Sequence, residues 1–185
     1  MSSSMQIYVS RRGQRYGPYS REELDLQLDA GNFDFEDFAS TDVGQNWLEI
    51  RLLPGIKPFA IEAREKHNLL VIRYRGRVAP ADVAHCASEV DSALTTLQPG
   101  FGLLVDLSRM ESMDPLCAAP IQEIMQLCNN AQVAVVARVV PDRRRDIGFQ
   151  IMSSFHYGKQ VRVMTCASFE EAEQALVESS SPSPN

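Results

Sequence analysis

The sequence predicts two domains of different class, a small α+β domain over residues 1–56 and an α/β domain over residues 57–178. The second should carry a mixed or parallel sheet of about five strands flanked by helices. Three observations carry this reading. Residues 17–33 spell out one capped helix between two breaks. A Pro/Gly-rich segment, Leu53-Pro54-Gly55-Ile56-Lys57-Pro58, then interrupts the apolar pattern. Beyond it, short apolar runs alternate with segments of helical period.

In the first domain, Gln6-Ile7-Tyr8-Val9 reads as a strand and Arg12-Gly13 as a hairpin turn. Gly17 and Pro18 read as a turn. Ser20 followed by Glu23 is a capping box, so a helix starts there. Leu24 and Leu28 share its inner face, and Gly31 is placed for a left-handed stop. Asp37-Phe38-Ala39 reads as extended, and Trp47 to Leu52 as a short closing helix with Trp47 and Leu48 inward.

In the second domain, Ile61–Lys66 and Leu69–Tyr74 read as strands joined at His67-Asn68. Pro80 opens a helix whose apolar set is Val83, Cys86, Ala87, Val90, Leu94 and Leu97. Leu103-Leu104-Val105 is a strand buried on both faces. Asp114 caps a helix with Pro115 at its first position and Leu116, Ile121, Ile124 and Cys128 on its inner side. Val133 to Val139 has the near-continuous apolar character of a central parallel strand. A helix marked by Ile147, Ile151 and Phe155, a fifth strand from Val161 to Met164 and a last helix capped by Ser168 and Glu171 follow. The Ser/Pro-rich residues 179–185 should form a disordered tail.

Composition narrows the function. Of 185 residues, 44 % are hydrophobic and 23 % charged, as in ordinary globular domains. The net charge of −6 divides as −3 on residues 1–58 and −3 on the rest, so no basic half points to nucleic acid. No apolar run reaches the roughly 20 residues of a membrane span. Cys86, Cys117, Cys128 and Cys166 lack metal-ligand spacing and read as buried thiols of a reducing cytoplasm. His67, His85 and His156 join no recognisable catalytic set, and His85 diverges from Cys86 on a helix. The expectation is a cytoplasmic, non-enzymatic protein without cofactor or metal. Arg143-Arg144-Arg145, where a strand gives way to a helix, could meet an anion or an acidic partner, or simply form a solvated helix start.

Residues 6–33 resemble the GYF family of adaptor domains, which grip proline-rich peptides. Tyr8 falls on an aromatic of the family pattern, Gly17-Pro18-Tyr19 on its tripeptide, Leu24 on its apolar position, and Gly31 and Phe33 on its final motif. Trp47 stands where bacterial GYF-like domains carry a late tryptophan. Gln6, Gln27 and Asn32 occupy positions where the family has aromatics. The resemblance implies a peptide-binding surface of Tyr8, Tyr16, Gly17, Pro18, Tyr19, Phe33 and Trp47, against the alternative that these rings are domain core.

Residues 59–178 are similar to STAS-type domains, the fold of anti-sigma-factor antagonists. The similarity is carried by Leu103-Leu104-Val105-Asp106-Leu107-Ser108 and by the Asp114 that precedes a helix. Phosphorylated members have a hydroxyl residue after that Asp, whereas Pro115-Leu116-Cys117 follows here, leaving Ser108 or Ser112 as substitutes. The resemblances together imply an adaptor that contacts a protein or proline-containing peptide, with a homodimer possible. The alternative is a lipid- or nucleotide-binding protein working through its second domain.

Overall fold

The computed structural model describes residues 5–140, 157–158 and 160–180. The chain divides into two compact units, Met1–Pro58 and Phe59–Asn185.

The first unit runs β1 (Ile7–Arg11), β2 (Gln14–Tyr19), α1 (Arg21–Asp29), β3 (Phe38–Ser40) and β4 (Leu48–Glu49), ending in a 3-10 turn at Ile50–Leu52. Its strands lie in the order β2-β1-β3-β4, all neighbours antiparallel. Arg12 and Gly13 both have positive φ, +52° and +79°, as a tight hairpin turn requires. Ser20 caps α1 reciprocally: its Oγ accepts from the Glu23 amide and its own amide donates to the Glu23 carboxylate. Gly31, at φ +73°, follows the end of the helix. Leu24 and Leu28 pack from α1 onto Ile7, Val9, Phe33, Phe35, Ala39, Ile50 and Leu53.

Two local expectations are corrected here. Gly17-Pro18 lies inside β2 rather than in a turn, where the register against β1 slips between Ile7 and Val9. A Cβ on Gly17 would stand 2.7 Å from the Ile7 carbonyl oxygen, and φ is +106°, so the glycine is demanded by backbone approach. Trp47–Leu52 is not one helix with Leu48 inward. Leu48 is exposed in the short β4, and Ile50 supplies the buried side chain.

The second unit runs β5 (Phe59–Arg64), β6 (Leu69–Val78), α2 (Pro80–Leu94), β7 (Gly102–Met113), α3 (Ala118–Asn130), β8 (Val135–Val139), β9 (Arg162–Cys166) and α4 (Phe169–Ser180). The five strands lie in the order β5-β6-β7-β8-β9. The β5-β6 pair is antiparallel and the other three pairs are parallel. A 3-10 turn at Glu65–His67 and Asn68 at φ +47° join β5 to β6.

Both faces of this sheet are covered. Leu70, Ile72, Leu103 and Val136 join α2 and α3 in one core. Leu69, Val71, Leu104, Val135 and Ala137 join Ala172 and Leu176 of α4 in the other. Gly102 lets α4 lie close, since a Cβ there would sit 3.3 Å from both Leu176 and Leu69. Arg73 and Arg64 lie over the Phe169 ring at 4.8 and 5.8 Å, and Glu62 pairs with both arginines.

The strand read as Leu103–Val105 is far longer. Beyond Asp106, β7 leaves β8 and continues beside β6 alone, pairing Arg75 with Arg109 and Val78 with Met113. α4 runs through Ser179 to Ser180, so these two residues are helical rather than part of the expected tail. The expected helix of Ile147, Ile151 and Phe155 lies outside the described residues, as do His156 and Arg143-Arg144-Arg145.

Candidate functional site

The aromatic residues singled out in the first unit do not share one surface. Val9 pairs with Tyr16 and Ile7 with Tyr19, so both tyrosines stand on the helix side of the sheet. There they meet buried Phe33 edge-on, with ring centroids 5.4 and 5.8 Å away. Phe33 is core, and both tyrosines are half-buried against it. Gln27 and Asn32, which stand where the GYF pattern has aromatics, bond to each other at 2.7 Å. A polar pair therefore occupies that side.

Tyr8 points the other way. It pairs with Ser40, while Ser10 pairs with both Arg15 and Phe38, so Tyr8, Arg15 and Phe38 belong to the outer face. Trp47 joins them through Arg15, whose guanidinium lies 5.1 Å from the indole centroid. Its Nε1 donates to the Gly44 carbonyl at 3.0 Å, fixing the ring. The adjoining loop is organised by Asp42, whose carboxylate accepts from the Asn46 and Gln45 amides and from Ser40 Oγ. These bonds, the Asn46 amide foremost, hold its carboxyl well below the usual range. Phe38, 48 % exposed, was missed in the sequence reading. The alternation of Phe38 out and Ala39 in was the available signal.

In the second unit the candidate surface is the far end of the β6-β7 ribbon. Asp114 Oδ1 accepts from the Leu116 amide at 2.8 Å, capping the turn Pro115–Cys117 that leads into α3. Cys117 is buried and Leu116, beside it, is 74 % exposed. Leu116 was expected on the inner face. The inner set is Cys117, Ile121, Ile124 and Cys128, spaced four, three and four apart, and Leu116 falls off that rhythm. Ser108 and Ser112 are exposed, the Ser108 amide donating to Asp106 Oδ1 at 2.9 Å. Arg77 pairs with Glu111 across the ribbon at 3.6 Å.

The four cysteines are free and buried. Burial pushes the Cys128 thiol up to about 12 and also raises Cys117, where the nearby Asp114 charge adds to the effect. Such thiols stay protonated and are poor nucleophiles. His85 is exposed and pairs with Glu89 on the same helix, turned away from buried Cys86. Among the described residues no group of His, Cys, Asp and Glu is placed to hold a metal ion. No helix among them is long and apolar enough to cross a membrane.

The sequence matches no protein-family model and no curated protein. Structural comparison finds an uncharacterized protein of the DUF3478 family from Shewanella loihica, described as having a SpoIIAA-like fold. It is 14 % identical, with 68 % of this chain and 98 % of that one covered at a TM-score of 0.53. About two thirds of this chain has a SpoIIAA-like fold. Weaker matches include unphosphorylated SpoIIAA, an anti-sigma factor antagonist, at 18 % identity over 64 % of this chain and 97 % of that one, TM-score 0.45. An anti-sigma factor antagonist from Mycobacterium paratuberculosis matches at 12 % identity over 64 and 94 %, also with a TM-score of 0.45. The SpoIIAA-like fold of the Shewanella protein bears out the STAS-type expectation at the level of fold. None of the three shows a GYF-like domain.

Proposed function

We propose that this protein is a cytoplasmic, non-enzymatic regulator that works by docking a folded protein partner onto the Asp114–Cys117 turn and the end of the β6-β7 ribbon. The observation that carries this reading is Leu116, a large apolar side chain 74 % exposed on a rigid, capped turn. An isolated exposed leucine is ordinary. Here it follows half-buried Met113 by three residues, and its turn is held by the Leu116 and Cys117 amides, which donate to Asp114 Oδ1 and to the Asp114 carbonyl. Pre-ordering lowers the entropic cost of association. Four free, buried cysteines suit a reducing compartment.

The first unit supplies a second contact in this reading. Tyr8, Phe38 and Trp47 form an aromatic outer face suited to a proline-containing peptide, which stacks on rings without losing much entropy of its own. This shifts the expected peptide surface away from Tyr16, Tyr19 and Phe33 to the opposite side of the sheet.

Affinity capture from native lysate tests the proposal by comparing the unaltered chain with Leu116→Asp and Val177→Asp. The expected result is a partner lost with Leu116→Asp and kept with Val177→Asp, which changes another exposed apolar residue on α4. Identical capture by all three proteins would overturn it. Light scattering of the same proteins identifies the partner as a second copy if only Leu116→Asp loses mass.

A further inference from the structure

On the outer face of the first sheet, Arg15 of β2, Ser10 of β1, Phe38 of β3 and Glu49 of β4 stand opposite one another in one row. The row holds two charges of opposite sign. Glu49 is paired with Arg51. Arg15 is exposed, and among the described residues it makes no hydrogen bond and no ion pair.

Its guanidinium is nonetheless held in place. It lies over the Trp47 indole, 5.1 Å from the ring centroid. Gly44 makes room for it, since a Cβ there would stand 2.5 Å from Arg15 Nη2. The Asp42 carboxylate of the same loop is committed to the Gln45 and Asn46 amides and to Ser40 Oγ. Contact with the indole uses a face of the guanidinium, whereas its five N–H donors lie in the plane. Arg15 is therefore an ordered, exposed cation without a counter-ion of its own.

The surroundings decide which anion suits it. Phosphorylated segments are met by clusters of arginines, whereas this row offers one uncommitted guanidinium, enough for a single carboxylate. Spacing decides where that carboxylate stands. Arg15 and Phe38 flank Ser10 from its two neighbouring strands, so their backbones are about 10 Å apart. An extended polyproline chain rises about 3.1 Å per residue and repeats every three residues. Residues three apart thus share one side of such a peptide, about 9 Å from each other.

We propose that this face selects an acidic peptide, in which an aspartate or glutamate stands three residues from a proline. The proline lies on Phe38 and the carboxylate meets the edge of Arg15. The selection rests on the reading of this face as a peptide surface and adds to it a requirement for negative charge. Proline fixes the extended form in advance, and Trp47 fixes the cation, so both sides are ordered before they meet.

Trp47 is the single tryptophan of the chain, and its fluorescence reports on the site. The full chain is titrated with acetyl-Pro-Pro-Pro-Asp-Pro-Pro-Pro-amide, which has a proline three places away on either side. The comparison is the same peptide with Asn for Asp. The expected result is a saturable change with both and roughly fivefold tighter binding of the acidic peptide, the upper end for an exposed ion pair. Arg15→Gln should remove that preference. Arg12→Gln, which deletes an equal charge at the exposed hairpin turn, should keep it. Equal binding of the two peptides by the unaltered chain, or a preference that survives Arg15→Gln, would overturn the proposal and leave the peptide surface standing. No response of Trp47 to either peptide would overturn both.

Discussion

The two sheets are covered differently. In the first unit one helix covers one face, and nine buried apolar side chains make the core. In the second, helices cover both faces of the sheet, with buried clusters of 21 and nine residues among those described. The helix covers only one face of the first sheet, and on the other Phe38 is exposed while Tyr8 and Trp47 are half-buried. A sheet packed on both sides confines exposed apolar groups to its ends and to helix surfaces, as at Leu116 and Val177. Which apolar side chains a unit leaves exposed thus follows from how its sheet is covered.

The largest effect should come from cutting into either core and asking whether the other notices. Phe101 is fully buried, and Phe101→Ala should cost the second unit about 3–5 kcal/mol. Calorimetry should show one transition moved down and the other in place. Movement of both would mean the units melt as one. Phe33→Ala is the reciprocal test and should cost a similar amount, with loss of the Tyr16 and Tyr19 ring contacts included. Because the smaller core has fewer side chains to share the loss, the first unit should be unfolded at body temperature, as far-UV dichroism would show.

A smaller effect is expected at the docking surface. Asp114→Ala removes a cap and should cost about 0.5–2 kcal/mol by denaturant titration. Leu116→Asp should cost almost nothing while abolishing capture of a partner. If Leu116→Asp destabilises more than Asp114→Ala, Leu116 is structural and the contrast between covered and uncovered surfaces loses its main example.

The smallest effect is electrostatic. The Arg64 hydrogen bond, helped by Arg73, holds the Glu62 carboxyl below its ordinary value of 4.5. A depressed folded value stabilises above the unfolded value, and that stabilisation fades as pH falls through the folded value. Glu62→Gln should therefore flatten the acid limb of a plot of Tm against pH. The change should stay under about 1 kcal/mol because the pairs are half exposed.

Much of this architecture was legible because local chemistry and tertiary packing agree. Ser20 with Glu23, Arg12-Gly13 and Pro80 each state an element boundary in a few residues, and the structure places them there. The apolar β8 run and the α2 set of Val83, Cys86, Ala87 and Val90 follow the periods of a doubly covered strand and a half-buried helix. What was hidden depends on partners distant in sequence. Residues 108–113 are too polar to read as strand, yet β6 pairs with them beyond the covered part of the sheet. Gly17-Pro18 has the composition of a turn, and only the approach of the Ile7 carbonyl explains the glycine. Tyr8 and Tyr19 look equivalent in a motif. The strand register separates them, because side chains alternate between faces and a slip at Ile7 and Val9 resets the count. Arg138 was not singled out within the apolar run from Val133 to Val139, and the structure buries it there.

The closeness of α4 to Gly102 has a consequence for how such chains can diverge. A methyl group at position 102 would press on the ends of the Leu176 and Leu69 side chains, 3.3 Å away, and these would have to give by a few tenths of an ångström. Substitution there should therefore be accepted more readily alongside a shorter side chain at 176 or 69. Among variants selected for folding, these three sites should change in concert, and a Gly102→Ala library rescued by Leu176→Val would reveal the linkage directly.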